Sequence, residues 1–467
     1  MSKLSLLDLA FFVAESEASP KHVAGLIICK RPPKSRTDFA RKLYEEMLSC
    51  TEVRSPFNRV IQFSLTSWPS WLEADEVDLT DHIFYHKLEA KKNTRKDLYE
   101  LVSHLHTPML DRSRPLWEVH VIDGLENGRF ALYQKIHHAY ADGMTLSRWT
   151  SKWLSESPDN PDFKPIWQLE RGRHGEEDSH QLRLEILQQL LGDVKGMGMR
   201  FLGMGRLATM MLLESVRLTK NAIALPFVAS GHTPLTGQVT PGRQLATTKV
   251  SMARVAQIRA VTRSSLNHVA LTCLDGALHR YLKDQGVELR QPITIQMPVS
   301  LRAEGEESKG GNKIGIILVE LSPPTNDPYI RLRNIGYSLR NVRAMVDSVA
   351  PAAIESYTLV MGLMGQIGEM LKLSDRMPPM GNTLVSNVPG PDKHLYIKGA
   401  KMEEMHPIST LPPSNLLNIT LFSYAGDLYF GLIATDELPN LERLSDYIIE
   451  AFDELEQTVS EARIKNK

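Results

Sequence analysis

The sequence contains little cysteine and no long uninterrupted apolar run. Its cysteines are Cys29, Cys50 and Cys273, and three widely spaced cysteines predict free thiols in a reducing compartment rather than a disulfide framework. No stretch reaches the roughly 18 consecutive apolar residues of a membrane-spanning helix, and the first residues lack the pattern of a secretory signal. We therefore expect a cytoplasmic protein that touches a membrane surface at most peripherally.

An excess of charge of one sign is also absent. The chain has 54 Lys and Arg residues against 55 Asp and Glu residues, which gives a formal net charge of -1. This balance supplies no overall attraction to nucleic acid, so we expect no nucleic-acid partner.

Several motifs of other functional classes are missing. The chain has neither the P-loop GxxxxGK[ST] nor the nucleophile elbow GxSxG. The stretch 196–205 contains a G-x-G, but no strand plainly precedes it, so we expect no dinucleotide site. The pairs His82/His86 and His104/His106 have metal-like spacings. Neither pair is accompanied by the further ligands that a zinc site requires, so we expect no metal.

The length of 467 residues favours two domains. Residues 1–185 have the pattern of a mixed α/β unit, residues 241–467 have that of a second one, and residues 186–240 form a helical crossover between them. Within the crossover, residues 196–220 combine Met, Leu and Phe with Lys and Arg. This composition fits either an amphipathic surface in contact with lipid or an ordinary interdomain helix.

Local patterns predict the main elements of both units. In the first unit, apolar or alternating runs predict strands at 23–29, 117–122 and 130–138, and Glu126–Gly128 predicts a hairpin turn between the last two. A helix is expected at 144–154. In the second unit we expect helices at 253–262, 267–284 and 441–462, and strands at 292–298, 314–321, 417–423 and 428–434.

The most informative motif is HHxxxDG, formed by His137, His138, Asp142 and Gly143 where a strand ends and a helix begins. Side chains alternate between the two faces of a strand, so only one of the two histidines can face a given cavity. This geometry favours a single base over a two-histidine metal clamp. A neutral imidazole can take the proton from an attacking hydroxyl and return it to the leaving group. Alternatively, the histidine pair is structural and Asp142 is only a helix N-cap.

The HHxxxDG motif resembles that of the chloramphenicol-acetyltransferase-like superfamily of CoA- or carrier-dependent acyltransferases. Further motifs make the chain similar to the bacterial wax ester synthase/acyl-CoA:diacylglycerol acyltransferase family. They are Leu4-Ser5-Leu6-Leu7-Asp8 with Glu15, Pro20 and His22-Val23, then Pro115-Leu116-Trp117, Pro298-Val299-Ser300-Leu301-Arg302, Gly311-Asn312 and Ser386-Asn387-Val388-Pro389-Gly390-Pro391.

The resemblance implies a role for each residue of the motif. His138 would be the general base and His137 a supporting residue. Asp142, followed by Gly143, would be structural and would pair with an arginine, for which Arg302 is our candidate. The family usually has Asn-Asp where this chain has Asn267-His268, so Asn267 can still serve while the task of the Asp is in doubt.

The remaining motifs allow two interpretations each. Trp117, with Pro115 and Leu116, lines an acyl channel or simply begins a core strand. Asn267 positions the substrate or caps its helix. The segment containing Asn387, Pro389 and Gly390 approaches the acyl-CoA or the developing oxyanion, or is only a rigid turn.

The fold implied by the resemblance is α/β, with two chloramphenicol-acetyltransferase-like domains and an active site in a tunnel at their interface. Acyl-CoA, a substrate rather than a cofactor, would enter one mouth, and a long-chain alcohol or diacylglycerol the other. Peripheral contact with the inner membrane face or lipid inclusions is then expected. Two alternatives stay open: a carrier-protein-dependent condensation-type acyltransferase, and a non-catalytic lipid-binding homologue.

Overall fold

The structure is a computed structural model that describes residues 2–4, 6–63, 69–89, 91, 93–169, 231–300, 314–348 and 351–465. The helices are α1 (Leu6–Ala14), α2 (Phe39–Ser49), α3 (Arg95–His106), α4 (Gly143–Trp153), α5 (Met252–Thr262), α6 (Leu266–Asp284), α7 (Pro328–Ser348), α8 (Pro351–Met370) and α9 (Leu441–Lys465). The strands are β1 (Ser2–Lys3), β2 (His22–Lys30), β3 (Arg59–Gln62), β4 (Ser70–Glu73), β5 (Ile83–Lys87), β6 (Trp117–Leu125), β7 (Arg129–His137), β8 (Arg243–Ser251), β9 (Thr294–Ser300), β10 (Ile314–Glu320), β11 (Thr383–Pro389), β12 (Tyr396–Ile397), β13 (Ala400–Ile408), β14 (Leu417–Tyr424) and β15 (Asp427–Thr435).

The first large sheet has the strand order β12-β13-β2-β7-β6-β5. Its central strands β2 and β7 are antiparallel, and their register pairs His22 with His137. The turn at Glu126–Gly128 joins β6 to β7 in the predicted hairpin, and Asn127 adopts the left-handed conformation with a φ of 59°. Strands β1, β4 and β3 form a separate small sheet.

The second large sheet has the order β10-β9-β11-β14-β15-β8. Its pleat separates a core face from a second face, as β14 shows. Leu417, Ile419 and Leu421 belong to the core formed with α6 and α9, whereas Asn418 and Thr420 line a cavity. This alternation follows from the two-residue period of a strand.

The second half of the chain contributes two strands to the first sheet. Strands β12 and β13 belong by sequence to the second half, yet β13 pairs with β2 in the first sheet, from Lys401 opposite Lys30 to Ile408 opposite Ala24. No sequence pattern indicated this contribution. The domain boundaries at 185 and 240 stay a prediction, because the first of them lies outside the described residues.

The elements predicted from local patterns are confirmed in both halves, with shifts of one to three residues at their ends. Residues 196–220 lie outside the described residues. Within the described ranges, no helix combines the length and the apolar character needed to cross a bilayer.

Candidate active site

A cavity of about 610 Å³ is lined by residues from both large sheets and mainly by apolar side chains. Strands β2, β6, β7 and β13 supply one wall, strands β9, β11 and β14 supply the other, and helices α1, α4 and α8 complete it. His138 lies in this lining, just beyond the end of β7. The predicted tunnel with two mouths remains a prediction.

The two histidines of the motif point in different directions, as the alternation of side chains predicts. His138 lines the cavity, and its ring stacks on Phe11 with 4.3 Å between ring centroids. The His137 side chain is fully buried and stacks on Phe12 at 4.4 Å. Its Nδ1 accepts a hydrogen bond of 3.2 Å from the Ala139 N–H. Its Nε2 lies 3.6 Å from a carboxylate oxygen of Glu15.

The surroundings of His138 keep its imidazole neutral at pH 7. Burial lowers the pKa of His138, the Asp142 carboxylate raises it, and the charges of His137 and Lys21 lower it, with the result at about 4. A neutral ring can accept a proton, which is the state that a general base needs before reaction.

Glu15 is the centre of a network of hydrogen bonds and ion pairs next to His137. Its carboxylate accepts a hydrogen bond of 3.0 Å from the backbone N–H of Lys21 and two from the Arg112 guanidinium, at 2.9 and 3.2 Å. Burial raises the pKa of Glu15, but its interactions with His137, Lys21 and Arg112 outweigh that effect and lower it to about 2. Arg112 also donates to the Phe12 carbonyl at 2.9 Å, so the network fixes the end of α1 against the site. Glu15 entered the sequence analysis only as part of a motif, and nothing there indicated Arg112.

Asp142 is buried and caps helix α4. Its Oδ1 accepts a hydrogen bond of 2.8 Å from the Thr145 N–H, so the N-cap interpretation describes the contact that is present. A Cβ atom at Gly143 would lie 2.9 Å from a methyl group of Val388, so glycine lets α4 approach β11 closely. Arg302 lies outside the described residues, and its pairing with Asp142 stays a prediction.

The Pro115-Leu116-Trp117 motif divides between cavity and core. Trp117 lines the cavity, and its indole N–H donates to the Phe57 carbonyl at 2.7 Å. Pro115 and Leu116 are buried without contributing to the cavity lining. The Leu116 N–H donates to the Tyr140 hydroxyl at 3.0 Å. The motif therefore begins a core strand and presents one side chain to the cavity.

Two residues that the sequence analysis considered separately meet in the structure. The Asn387 amide donates to the Asn267 side-chain oxygen at 2.6 Å, and Asn387 lines the cavity. The cap of α6 is Ser265, whose hydroxyl accepts from the His268 N–H. Asn267 is therefore not the cap that one interpretation made it.

Pro389 and Gly390 hold the turn after β11 in place. Pro389 lines the cavity, and its carbonyl accepts a hydrogen bond of 2.8 Å from the Ser147 hydroxyl on α4. Gly390 packs so closely on the Phe422 ring and the Ser423 carbonyl that a Cβ atom there would overlap both. Gly390 thus has a packing role.

His268, which stands where the family usually has Asp, connects two helices. Its Nε2 donates a hydrogen bond of 2.6 Å to the Leu332 carbonyl on α7, and its ring packs against Gly336. A carboxylate has no proton to donate to that carbonyl. The replacement therefore gives this chain a link between α6 and α7 that an aspartate could not make.

Two of the histidines with metal-like spacings have other partners. His82 bonds to the Trp117 carbonyl at 2.8 Å, and His106 to the Tyr133 hydroxyl at 2.8 Å. Within the described ranges, no group of three or more His, Cys, Asp or Glu side chains is arranged to hold a metal ion.

Comparisons with known proteins agree with the motifs along the whole chain. The family described as the wax ester synthase/diacylglycerol acyltransferase catalytic domain matches residues 4–270, and the WS/DGAT C-terminal domain matches residues 310–456. A putative diacylglycerol O-acyltransferase of Mycobacterium tuberculosis is 32% identical over 460 residues, which cover 98% of this chain and 100% of that protein. A further one of Mycobacterium bovis is 30% identical, with coverage of 97% and 98%.

Solved structures confirm the predicted α/β fold class. The wax ester synthase/diacylglycerol acyltransferase of Marinobacter aquaeolei VT8 superposes with a TM-score of 0.75 at 27% identity, over 98% of this chain and 100% of that one. A condensation domain of the calcium-dependent antibiotic synthetase has a TM-score of 0.59 at 11% identity, over 98% and 96%, a likeness of fold alone. Taken with the matched domains and relatives, these findings show that the chain belongs to the wax ester synthase/diacylglycerol acyltransferase family of acyltransferases.

Proposed function

We propose that this protein transfers a long-chain acyl group from acyl-CoA to a long-chain alcohol or to diacylglycerol, with His138 as the general base. The observation that carries the proposal is the position of His138: its ring lies in the wall of a large, mostly apolar cavity and is neutral at pH 7. An apolar cavity suits two lipid chains, and a neutral imidazole suits the activation of a hydroxyl.

The proposed reaction begins when the imidazole takes the proton of the acceptor hydroxyl. The hydroxyl oxygen attacks the thioester carbonyl carbon, and the carbonyl electron pair moves to the oxygen. When the tetrahedral intermediate collapses, the carbon–sulfur bond breaks and the CoA thiolate takes the proton from the imidazolium. The products are an ester and CoA, and His138 returns to its neutral form. No cofactor is required.

Direct transfer between the two substrates fits this chain better than a covalent acyl-enzyme. The sequence has no GxSxG nucleophile elbow. Cys29 and Cys273 are buried outside the cavity lining, and burial raises the pKa of both thiols, which disfavours the nucleophilic thiolate.

Neighbouring residues would orient the substrates. Asn387 lines the cavity and bonds to Asn267, and its amide can bind a carbonyl or hydroxyl oxygen of a substrate. Trp117 and Pro389 would contact the acyl chain. His137 would support His138 by holding the strand end through Glu15, and Asp142 with Gly143 would fix the start of α4.

The acceptor classes come from the relatives. The mycobacterial proteins are named as diacylglycerol O-acyltransferases and the Marinobacter protein as a wax ester synthase/diacylglycerol acyltransferase. Because such acceptors reside in membranes and lipid inclusions, we also propose a cytoplasmic protein in peripheral contact with one of these surfaces.

The test is the release of CoA thiol from a long-chain acyl-CoA in the presence of hexadecanol or diacylglycerol. We expect His138→Ala to abolish release, whereas the control His104→Ala, at an exposed position on α3, should match the wild type. Turnover retained in His138→Ala would refute the assignment of the base.

The same assay addresses the two alternatives. A condensation-type enzyme would prefer an acyl-carrier protein over free acyl-CoA in a direct competition, and a non-catalytic homologue would release no thiol with any acceptor. The likeness to condensation domains concerns only the fold, so it does not favour the first alternative.

A further inference from the structure

Lys21 lies directly opposite His138 at the end of the β2–β7 pair. The last paired residues of these strands are His22 and His137, and the His138 N–H donates to the Lys21 carbonyl at 2.8 Å, which extends the pairing by one residue. Directly opposite residues of antiparallel strands project from the same face, with Cβ atoms about 4.5–5.5 Å apart. Lys21 and His138 both line the cavity.

The Lys21 side chain is only 4% exposed. Its ammonium donates hydrogen bonds to two neutral oxygens, the Ser19 hydroxyl at 2.6 Å and the Leu411 carbonyl at 3.4 Å. An ammonium carries three donors, so a further N–H can serve a ligand in the cavity. Burial of a cation on neutral partners is unfavourable for folding, and an apolar side chain of equal length would fill the same space.

Lys21 nevertheless remains cationic at pH 7. Burial lowers the pKa of Lys21, the Glu369 carboxylate raises it, the Arg243 guanidinium lowers it and the Glu15 carboxylate raises it, with the result at about 8. Glu369 lies at the end of α8, Arg243 on β8 and Glu15 just after α1. Charged groups from three separate parts of the chain therefore determine the pKa of Lys21.

We propose that Lys21 is a second catalytic residue, whose ammonium stabilises the negative oxygen that forms on the thioester carbonyl during acyl transfer. The inference rests on the proposed function, because the oxyanion arises only if a thioester is attacked beside His138. In that step the carbonyl electron pair moves onto oxygen and is stabilised by the Lys21 N–H donors. On collapse the carbonyl re-forms and the CoA thiolate leaves. Lys21 keeps its proton throughout, while His138 takes and returns the proton of the alcohol.

The position of Lys21 also affects the pKa of the base, His138. A cation next to His138 disfavours a second positive charge, and the charge of Lys21 accordingly lowers the pKa of His138. Lys21 would therefore help to keep His138 neutral before reaction and would then stabilise the opposite charge that develops on the substrate oxygen.

The experiment compares Lys21→Met, Lys21→Arg and the surface control Lys42→Met, which removes an exposed lysine on α2. For Lys21→Met we expect kcat to fall by about 10²–10³-fold with little change in KM, as when one oxyanion donor is removed. Lys21→Arg should keep a larger part of kcat, and Lys42→Met should equal the wild type. Thermal unfolding should show that Lys21→Met is at least as stable as the wild type, because a buried charge has been removed.

The pH profile distinguishes catalysis from a structural role. Wild-type kcat/KM, which reports the ionisations of the free enzyme, should fall at alkaline pH with a midpoint near 8 as Lys21 loses its proton, and this fall should be absent in Lys21→Met. The acid limb of Lys21→Met should move to higher pH, because the cation that lowers the pKa of His138 is gone. Glu369→Gln, which removes a carboxylate that raises the pKa of Lys21, should move the alkaline limb to lower pH and serves if Lys21→Met does not fold.

Wild-type kcat in Lys21→Met, or an alkaline limb that neither Lys21→Met nor Glu369→Gln displaces, would overturn the proposal. Its failure is distinguishable from that of the proposed function. If His138→Ala is inactive while Lys21→Met is fully active, only the role of Lys21 is wrong, whereas activity in His138→Ala refutes the base itself.

Discussion

The two walls of the cavity differ in chemistry. Within the described residues, the charged and histidine side chains of the lining all come from the first half of the chain: Lys21, Glu118, Lys135, His138 and Asp142. The second half contributes apolar side chains and neutral polar ones such as Gln296, Ser386 and Thr420. One wall can therefore move protons and stabilise charge, while the other can orient substrates by neutral hydrogen bonds and shape.

The difference arises from the way each wall is built. The pairs that the second wall forms are neutral, such as the Ser386 and Thr420 hydroxyls at 3.0 Å and the Gln296 and Asn415 amides at 2.9 Å. On the first wall, ionised groups such as Glu15 and Arg112 hold the reactive strand end. Among the lining residues, the groups that can act as an acid or a base near pH 7 therefore lie on the first wall, where burial and neighbouring charges shift the pKa values of His138 and Lys21.

The largest effect on stability should come from the network of ionised groups formed by Glu15 and Arg112. We expect Glu15→Gln to lower the free energy of unfolding by about 1.5–3 kcal/mol, the range for hydrogen bonds to charged groups. Because folding lowers the pKa of Glu15 from 4.5 to about 2, its contribution is present above pH 4.5 and is lost as the pH falls through 2. Denaturant unfolding of both proteins across this range should give curves that converge at low pH.

The control for this prediction is Glu45→Gln, which removes an exposed carboxylate paired with Arg41 on α2. Exposed pairs of this kind contribute about 0.3–0.5 kcal/mol. A loss in Glu15→Gln no larger than that of the control would mean that the strand end is not held by its ionised network.

A smaller effect should come from the start of α4. Loss of an N-cap side chain lowers stability by about 0.5–2 kcal/mol, so Asp142→Ala should reduce folded yield as well as rate. Asp142→Asn keeps an acceptor oxygen for the Thr145 N–H and should recover most of the stability. An Asp142→Ala protein with wild-type stability and activity would show that the residue has no structural task.

The smallest effect on activity should come from the second wall, whose polar side chains form neutral pairs. Ser386→Ala removes one hydroxyl that bonds to Thr420, and a neutral hydrogen bond contributes about 0.5–1.5 kcal/mol. We expect kcat/KM in the thiol-release assay to fall by no more than about tenfold. A loss as large as that expected for Lys21→Met would place chemistry on both walls and end the distinction between them.

Local patterns predicted most of what lies close in sequence. The hairpin at Glu126–Gly128, the strands on either side of it and the opposite directions of His137 and His138 all follow from turn chemistry and from the two-residue period of a strand. These features depend on a few neighbouring residues, so a single sequence contains enough information to predict them.

The remaining features depend on partners distant in sequence. The pairing of β13 with β2, the link between Glu15 and Arg112 and the bond between Asn267 and Asn387 each join residues about 100 or more positions apart. Lys21 gave no signal, because its significance lies in the residue opposite it on another strand. No periodicity or motif within one segment records such a pairing.

The most direct test of the account is the dependence of wild-type kcat/KM on pH, which reports the ionisation of the base in the free enzyme. We predict an acid limb with a midpoint near 4, the pKa of the buried His138, and full activity at pH 6. An acid limb centred at the ordinary histidine value of about 6.5 would contradict the assignment of His138 as a buried, neutral base, because the ring would then be hydrated and would be protonated at pH 6.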